Sequence, residues 1–114
     1  MENNVKFTTI HNYSETVDLS ALFDINPDGT VTYCMVSLSI KIGDNFNETY
    51  DNDRYIFDDF KPYLDRWKSR RLTSDDMLDE RFMEIHELLN DTLVDEILEI
   101  IEDGIKLGWH KLKK

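Results

Sequence analysis

The sequence predicts an α+β fold: a small antiparallel sheet of three or four strands in the N-terminal half, then two or three helices packed on one face. Two observations carry this expectation. Residues 5 to 57 are rich in Val, Ile, Thr, Tyr and Phe and tend to alternate apolar with polar, whereas residues 58 to 112 repeat their apolar positions at helical spacing. Strands that come before the helices, rather than between them, argue for an antiparallel sheet with the helices segregated to one side. With 114 residues, 40% of them hydrophobic, the chain reads as a single domain over 1–114, β-rich over 1–57 and α-helical over 58–114.

The segment VKFTTIH is the first strand candidate. The second is clearer: Val17, Leu19, Ala21, Phe23 and Ile25 alternate with mostly polar residues. It runs into DINPDG, where Asp24, Asn26, Asp28 and Gly29 match the first half of a calcium-loop pattern. Such a loop lies between helices and takes a carboxylate at its twelfth position. Here the flanks have strand periodicity and the twelfth position is Met35. Asn26–Gly29 is therefore expected to be a hairpin turn. Pro27 and Asp28 suit the centre of a type I turn, and Gly29 suits the left-handed position of a bulge.

That turn pairs Ile25 with Val31 and Phe23 with Tyr33. Further on, the apolar set of the third strand changes parity, from Val31, Tyr33 and Met35 to Val36, Leu38, Ile40 and Ile42. One extra residue near Cys34–Val36 would realign the faces, putting Leu38 opposite Leu19 and Ile40 opposite Val17. The alternative is that Cys34–Val36 is buried on both faces. Residues 43 to 53 read as an acidic, turn-rich connection, with a further strand around Arg54–Phe57.

A first helix is expected over roughly 59–71, with Asp58 or Asp59 as N-cap, Pro62 in the first turn, and Phe60, Tyr63, Leu64 and Trp67 turned to the core. Thr73 or Ser74 starts a second, with Asp75 and Asp76 favourably placed in its first turn. Asn90-Asp91-Thr92 either caps a new helix or is passed through. Beyond it Val94, Leu98, Ile101, Ile105, Trp109 and Leu112 form another stripe. Gly104 and Gly108 either permit a close backbone contact or mark fraying.

Charge bounds the function. With 24 acids against 13 Lys plus Arg, the formal charge is −11, which opposes direct binding to nucleic acid or anionic membranes and favours a basic partner. From Asp75 to Asp103 there are twelve acids and one base, Arg81. The start of the chain lacks a basic leader pattern, and no apolar run approaches the ~18 residues of a membrane span. The single Cys34 forbids an internal disulfide. A cytoplasmic location is expected.

Catalytic constellations are missing. His11, His86 and His110 are scattered, and no phosphate loop, G-x-S-x-G or H-E-x-x-H is present. No catalytic residue, cofactor or metal is assigned. Asp51, Asp53, Asp58 and Asp59 would hold a divalent cation only if they converged. The KSRR run ending at Arg71 is read as complementing the helix dipole and offsetting neighbouring acids rather than as a phosphate patch.

The expectation is a non-enzymatic binding protein whose carboxylates occupy a basic, nucleic-acid-binding site on a partner protein. The expected contact residues are Asp79, Glu80, Glu84, Glu87, Asp91, Asp95, Glu99 and Glu102, with Asp51 and Asp53 as outlying members. In size and charge alone, the chain resembles antitoxins, toxin-immunity proteins and phage anti-defence proteins such as anti-CRISPRs. The alternative is a structural or adaptor domain whose acidity serves only solubility. A weak metal-binding protein or an enzyme ranks behind both.

Overall fold

The hairpin at residues 26–29 organises the sheet. In the computed structural model, which describes residues 6–42, 45–50 and 55–111, the Gly29 N–H donates to Asn26 O at 2.9 Å, and the Asn26 N–H donates to Thr30 O at 2.8 Å. Gly29 sits at φ +87°, the left-handed conformation that glycine takes without steric cost. Strands β1 (Lys6–Tyr13), β2 (Val17–Ile25), β3 (Val31–Ile42) and β4 (Asn45–Tyr50) form one antiparallel sheet in the order β1-β2-β3-β4.

The register follows the apolar parity. Ile25 faces Val31 and Phe23 faces Tyr33; Leu22 then faces Met35, so Cys34 is the extra residue. Beyond it Leu38 opposes Leu19 and Ile40 opposes Val17, as the sequence predicts. Met35 is exposed, which removes the alternative of a stretch buried on both faces.

The fourth strand lies elsewhere than expected. Asn45–Tyr50, within the segment read as an acidic connection, pairs with β3. Tyr55–Phe60, read partly as a strand, is a π-helical turn with Tyr55, Ile56, Phe57 and Phe60 buried. An aromatic and β-branched run fits a buried strand and a buried helical turn equally well by periodicity. This turn passes directly into α1 (Lys61–Lys68), whose N-cap position, Phe60, has helical dihedrals and no side-chain cap. Asp58 and Asp59 are therefore not N-caps: the chain is already helical where a cap would stand. Both are exposed.

Among the described residues the C-terminal half forms four α-helices, α1 included, where two or three were expected. Thr73 caps α2 (Ser74–Leu78) in a reciprocal capping box with Asp76. The helix expected to continue breaks at Asp79, whose extended backbone and carboxylate start α3 (Glu80–His86). Asn90 Oδ1 accepts from the Leu93 N–H at 2.9 Å and caps α4 (Asp91–Lys106). Gly108, at φ +84°, ends α4 by donating its N–H to Ile105 O.

One core joins the two layers. Val17, Leu19, Ala21, Val36, Leu38 and Ile40 from the sheet meet Phe60, Tyr63, Leu64, Phe82, Ile85, Val94, Ile97 and Ile101 from the helical layer, all of them buried. Gly104 brings α4 onto β2: a Cβ there would lie 2.7 Å from Leu19 Cδ2. The molecule measures 54 × 29 × 24 Å. Twelve residues of β3 extend for about 40 Å and sixteen of α4 for about 24 Å, so the strands set the long axis. The helices cover the Val17–Ala21 end of the sheet and leave residues 27–30 at the 26–30 tip exposed. Among the described residues, no helix is long and apolar enough to cross a membrane.

Candidate functional site: the acidic helical surface

α1 stands between two sets of acids. On one flank Tyr63 stacks on Phe82 of α3, with ring centroids 4.1 Å apart, and Arg66 grips Asp76 of α2. The Arg66 Nε donates to Asp76 Oδ2 at 2.8 Å and Nη2 to Oδ1 at 2.6 Å. Asp76 is 3% exposed and also accepts from the Thr73 N–H. The bonds from Arg66 chiefly hold its carboxyl down at about 2, against an ordinary 3.8. Burial raises the Tyr63 phenol to about 12, with the Asp76 charge adding to it. The Tyr63 hydroxyl lies 3.2 Å from His86 Nδ1.

On its other flank α1 meets α4. Arg70 pairs with Asp91 at 3.4 Å, Lys68 pairs with Asp95, and Lys61 lies 4.0 Å from Glu102. Asp91, Asp95 and Glu102 occupy one side of α4 at i, i+4 and i+11, so a single stripe of acids confronts Lys61 and Lys68 of α1 and Arg70 just beyond it. Lys68 and Arg70 of the KSRR run thus offset neighbouring acids, as expected from the sequence. They neutralise part of the predicted acidic surface.

The acids of α3 are different. Glu80, Glu84 and Glu87, the last being the C-cap with helical dihedrals, fall at i, i+4 and i+7, on one face, and all three are exposed. Among the described residues, no Lys or Arg pairs with them or with Glu99. Of the expected contact residues, Glu80, Glu84, Glu87, Asp91, Asp95, Glu99 and Glu102 are exposed. Asp79 is only half-exposed, its carboxylate accepting from the Arg81 and Phe82 N–H groups at 2.9 and 3.3 Å, which commits it to capping α3. Asp51 and Asp53 lie outside the described residues.

Asp28 Oδ1 accepts from both the Thr30 N–H and hydroxyl, at 2.9 and 2.6 Å. The hydroxyl bond chiefly lowers its pKa, and the carboxylate serves the turn. His11 pairs with Asp18 at 2.9 Å. Among the described residues, no group of three His, Cys, Asp or Glu is placed to hold a metal ion. A cleft of about 360 Å³ opens between the sheet and the start of α4, lined by Thr16, Lys41, Leu88, Asn90, Thr92, Leu93 and Glu96. Its Glu96 carboxylate accepts from the Thr16 hydroxyl, tying α4 to the β1–β2 turn. No family model, curated protein or solved structure matches the chain.

Proposed function

We propose that the protein is a non-enzymatic binding protein, of the inhibitor or antidote kind, that places carboxylates of its helical layer in a basic, nucleic-acid-binding site on a partner protein. The observation that supports this most directly is the Glu80, Glu84 and Glu87 stripe: exposed, running along α3 to its C-cap, and without an ion-pair partner among the described residues. Like charges left side by side repel one another in the free protein, and a basic partner relieves that repulsion while accelerating encounter. Glu99 extends the surface on α4. Asp91, Asp95 and Glu102 contribute less, because part of their field is already cancelled by Arg70, Lys68 and Lys61.

Those same ion pairs favour a second reading, a structural or adaptor domain whose acids serve cohesion and solubility. The two readings separate on one experiment. A partner captured by the tagged chain at low salt is identified and purified. Its association with the wild type and with the Glu80→Lys, Glu84→Lys, Glu87→Lys triple variant is then followed across a salt series. Folding should survive, since exposed charges contribute little individually. Affinity at low salt should fall by about tenfold or more, mostly in the association rate, and the deficit should shrink as salt rises. Nucleic acid should compete for the partner. Unchanged affinity of a folded triple variant at low salt would leave the second reading standing.

A further inference from the structure

We infer that the outer edge of β1, unpaired among the described residues, is a self-association surface, and that two copies join there into a continuous eight-stranded antiparallel sheet. The Ser14 N–H donates to Val17 O at 2.8 Å, and β1 runs against β2 from Tyr13↔Asp18 to Lys6↔Ile25 without a register shift. Antiparallel ladders alternate. The N–H and C=O groups of Asn12, Ile10 and Thr8 therefore face β2, and those of Phe7, Thr9, His11 and Tyr13 face outward along the edge. The bond from the Lys41 N–H to Thr16 O, on the other side of β2, fits the same alternation.

Natural edge strands are blunted by proline, bulges, charge or short length. β1 has eight residues, KFTTIHNY, with no proline and no bulge against β2. The occupant is argued from charge. In a chain with 24 acids, residues 3 to 14 contain none, so two β1 strands set side by side bring no acidic residue of their own against each other; the carboxylate of Asp18 on β2 is held by His11. The opposite edge, β4, carries Glu48 and is followed by Asp51 and Asp53 in the sequence, where two copies would repel.

Symmetry then fixes the register. Two antiparallel neighbours in one sheet are related by an axis perpendicular to it, so residues on the same face must oppose each other. Centring the axis on Ile10 pairs Thr9 with His11 of the other copy and Phe7 with Tyr13, which uses every outward-facing backbone group of residues 7–13. Ile10 then meets its own counterpart at a non-hydrogen-bonded position, where side chains approach most closely. Ile10 is 50% exposed in the monomer although it opposes the buried Ala21 on the helix-bearing face. Both helical layers, with their acids, come to lie on the same side of the extended sheet.

Sedimentation equilibrium across the micromolar range tests this on the intact chain, with no partner present. The wild type should pass from 13.5 kDa to twice that mass, and added salt should strengthen the dimer by screening the −11 charge on each copy. That trend is opposite to the one expected for partner binding, so either reading can fail without the other. Thr9→Pro removes an outward donor without touching the β2 ladder, and Ile10→Lys sets two like charges face to face. Each should weaken the dimer by about tenfold or more, with Ile10→Lys keeping wild-type secondary structure because its side chain is half in water. Ile10→Cys should give a disulfide-linked dimer with added diamide, since a non-hydrogen-bonded pair brings the two Cα atoms to within about 5 Å. The wild type, with only Cys34, should not. A monomer at all concentrations, a dimer indifferent to Thr9→Pro and Ile10→Lys, or no disulfide in Ile10→Cys overturns the proposal.

Discussion

At Gly104 one absent methyl group decides how closely α4 approaches the sheet. In water, Gly→Ala within a helix gains about 1 kcal/mol. Here the new Cβ would stand 2.7 Å from Cδ2 of the fully buried Leu19, with Phe57 close behind at 3.7 Å. Overpacking of this kind costs ~1–3 kcal/mol, so Gly104→Ala should lower the unfolding free energy in urea; an increase would mean that Leu19 has room to turn. Asp76 is the residue whose ionisation folding depends on most visibly. Its folded pKa, about 2, lies below the ordinary 3.8. Its contribution, on the order of 2 kcal/mol, is therefore complete above pH ~4 and is lost as pH falls through 3.8 towards 2. Comparing wild type with Asp76→Asn isolates this from the self-repulsion that acid also relieves. The stability gap between the two should close across that window, and a gap constant from neutral pH down to about 2 would contradict the assignment.

At the scale of elements, alternation and caps were legible because they are local. The flip of apolar parity after Met35 pointed to an extra residue near Cys34–Val36, and the structure places it at Cys34; Thr73, one of two candidates, starts α2, and of the two readings of Asn90-Asp91-Thr92 the cap is the one that α4 realises. β4 was not legible, since NFNETY is as polar as a loop and its pairing is a property of β3 rather than of its own letters. The π-helical turn of Tyr55–Phe60 was missed because a short apolar run has no period to read. The hairpin turn carries its own prediction. Gly29 has open space around its α-carbon but a φ of +87°, so Gly29→Val should cost roughly 1 kcal/mol or more through backbone strain alone. Calcium in the millimolar range should leave the melting temperature of the wild type unchanged; a chelator-reversible rise of several degrees would return DINPDG to the status of an ion site.

Across the whole molecule, charge was legible in amount and only partly in arrangement. Twelve acids between Asp75 and Asp103 announce an acidic surface, but the pairing of Asp91, Asp95 and Glu102 with α1 depends on how helices distant in sequence pack. The diversion of Asp79 into a cap depends on a helix break that hydrophobic spacing does not signal. Shape has a further consequence. The helices clamp only one end of the long sheet, and the 26–30 tip projects with Val31 60% exposed. Little apolar burial holds that end, so it can open without the rest of the protein opening. In deuterated solvent the amide of Asn26, which bonds Thr30 across the turn, should exchange far sooner than those of Leu19 or Ile101. An endoprotease should cut first between Pro27 and Thr30, and the nicked chain should stay folded around the core that both strands still share.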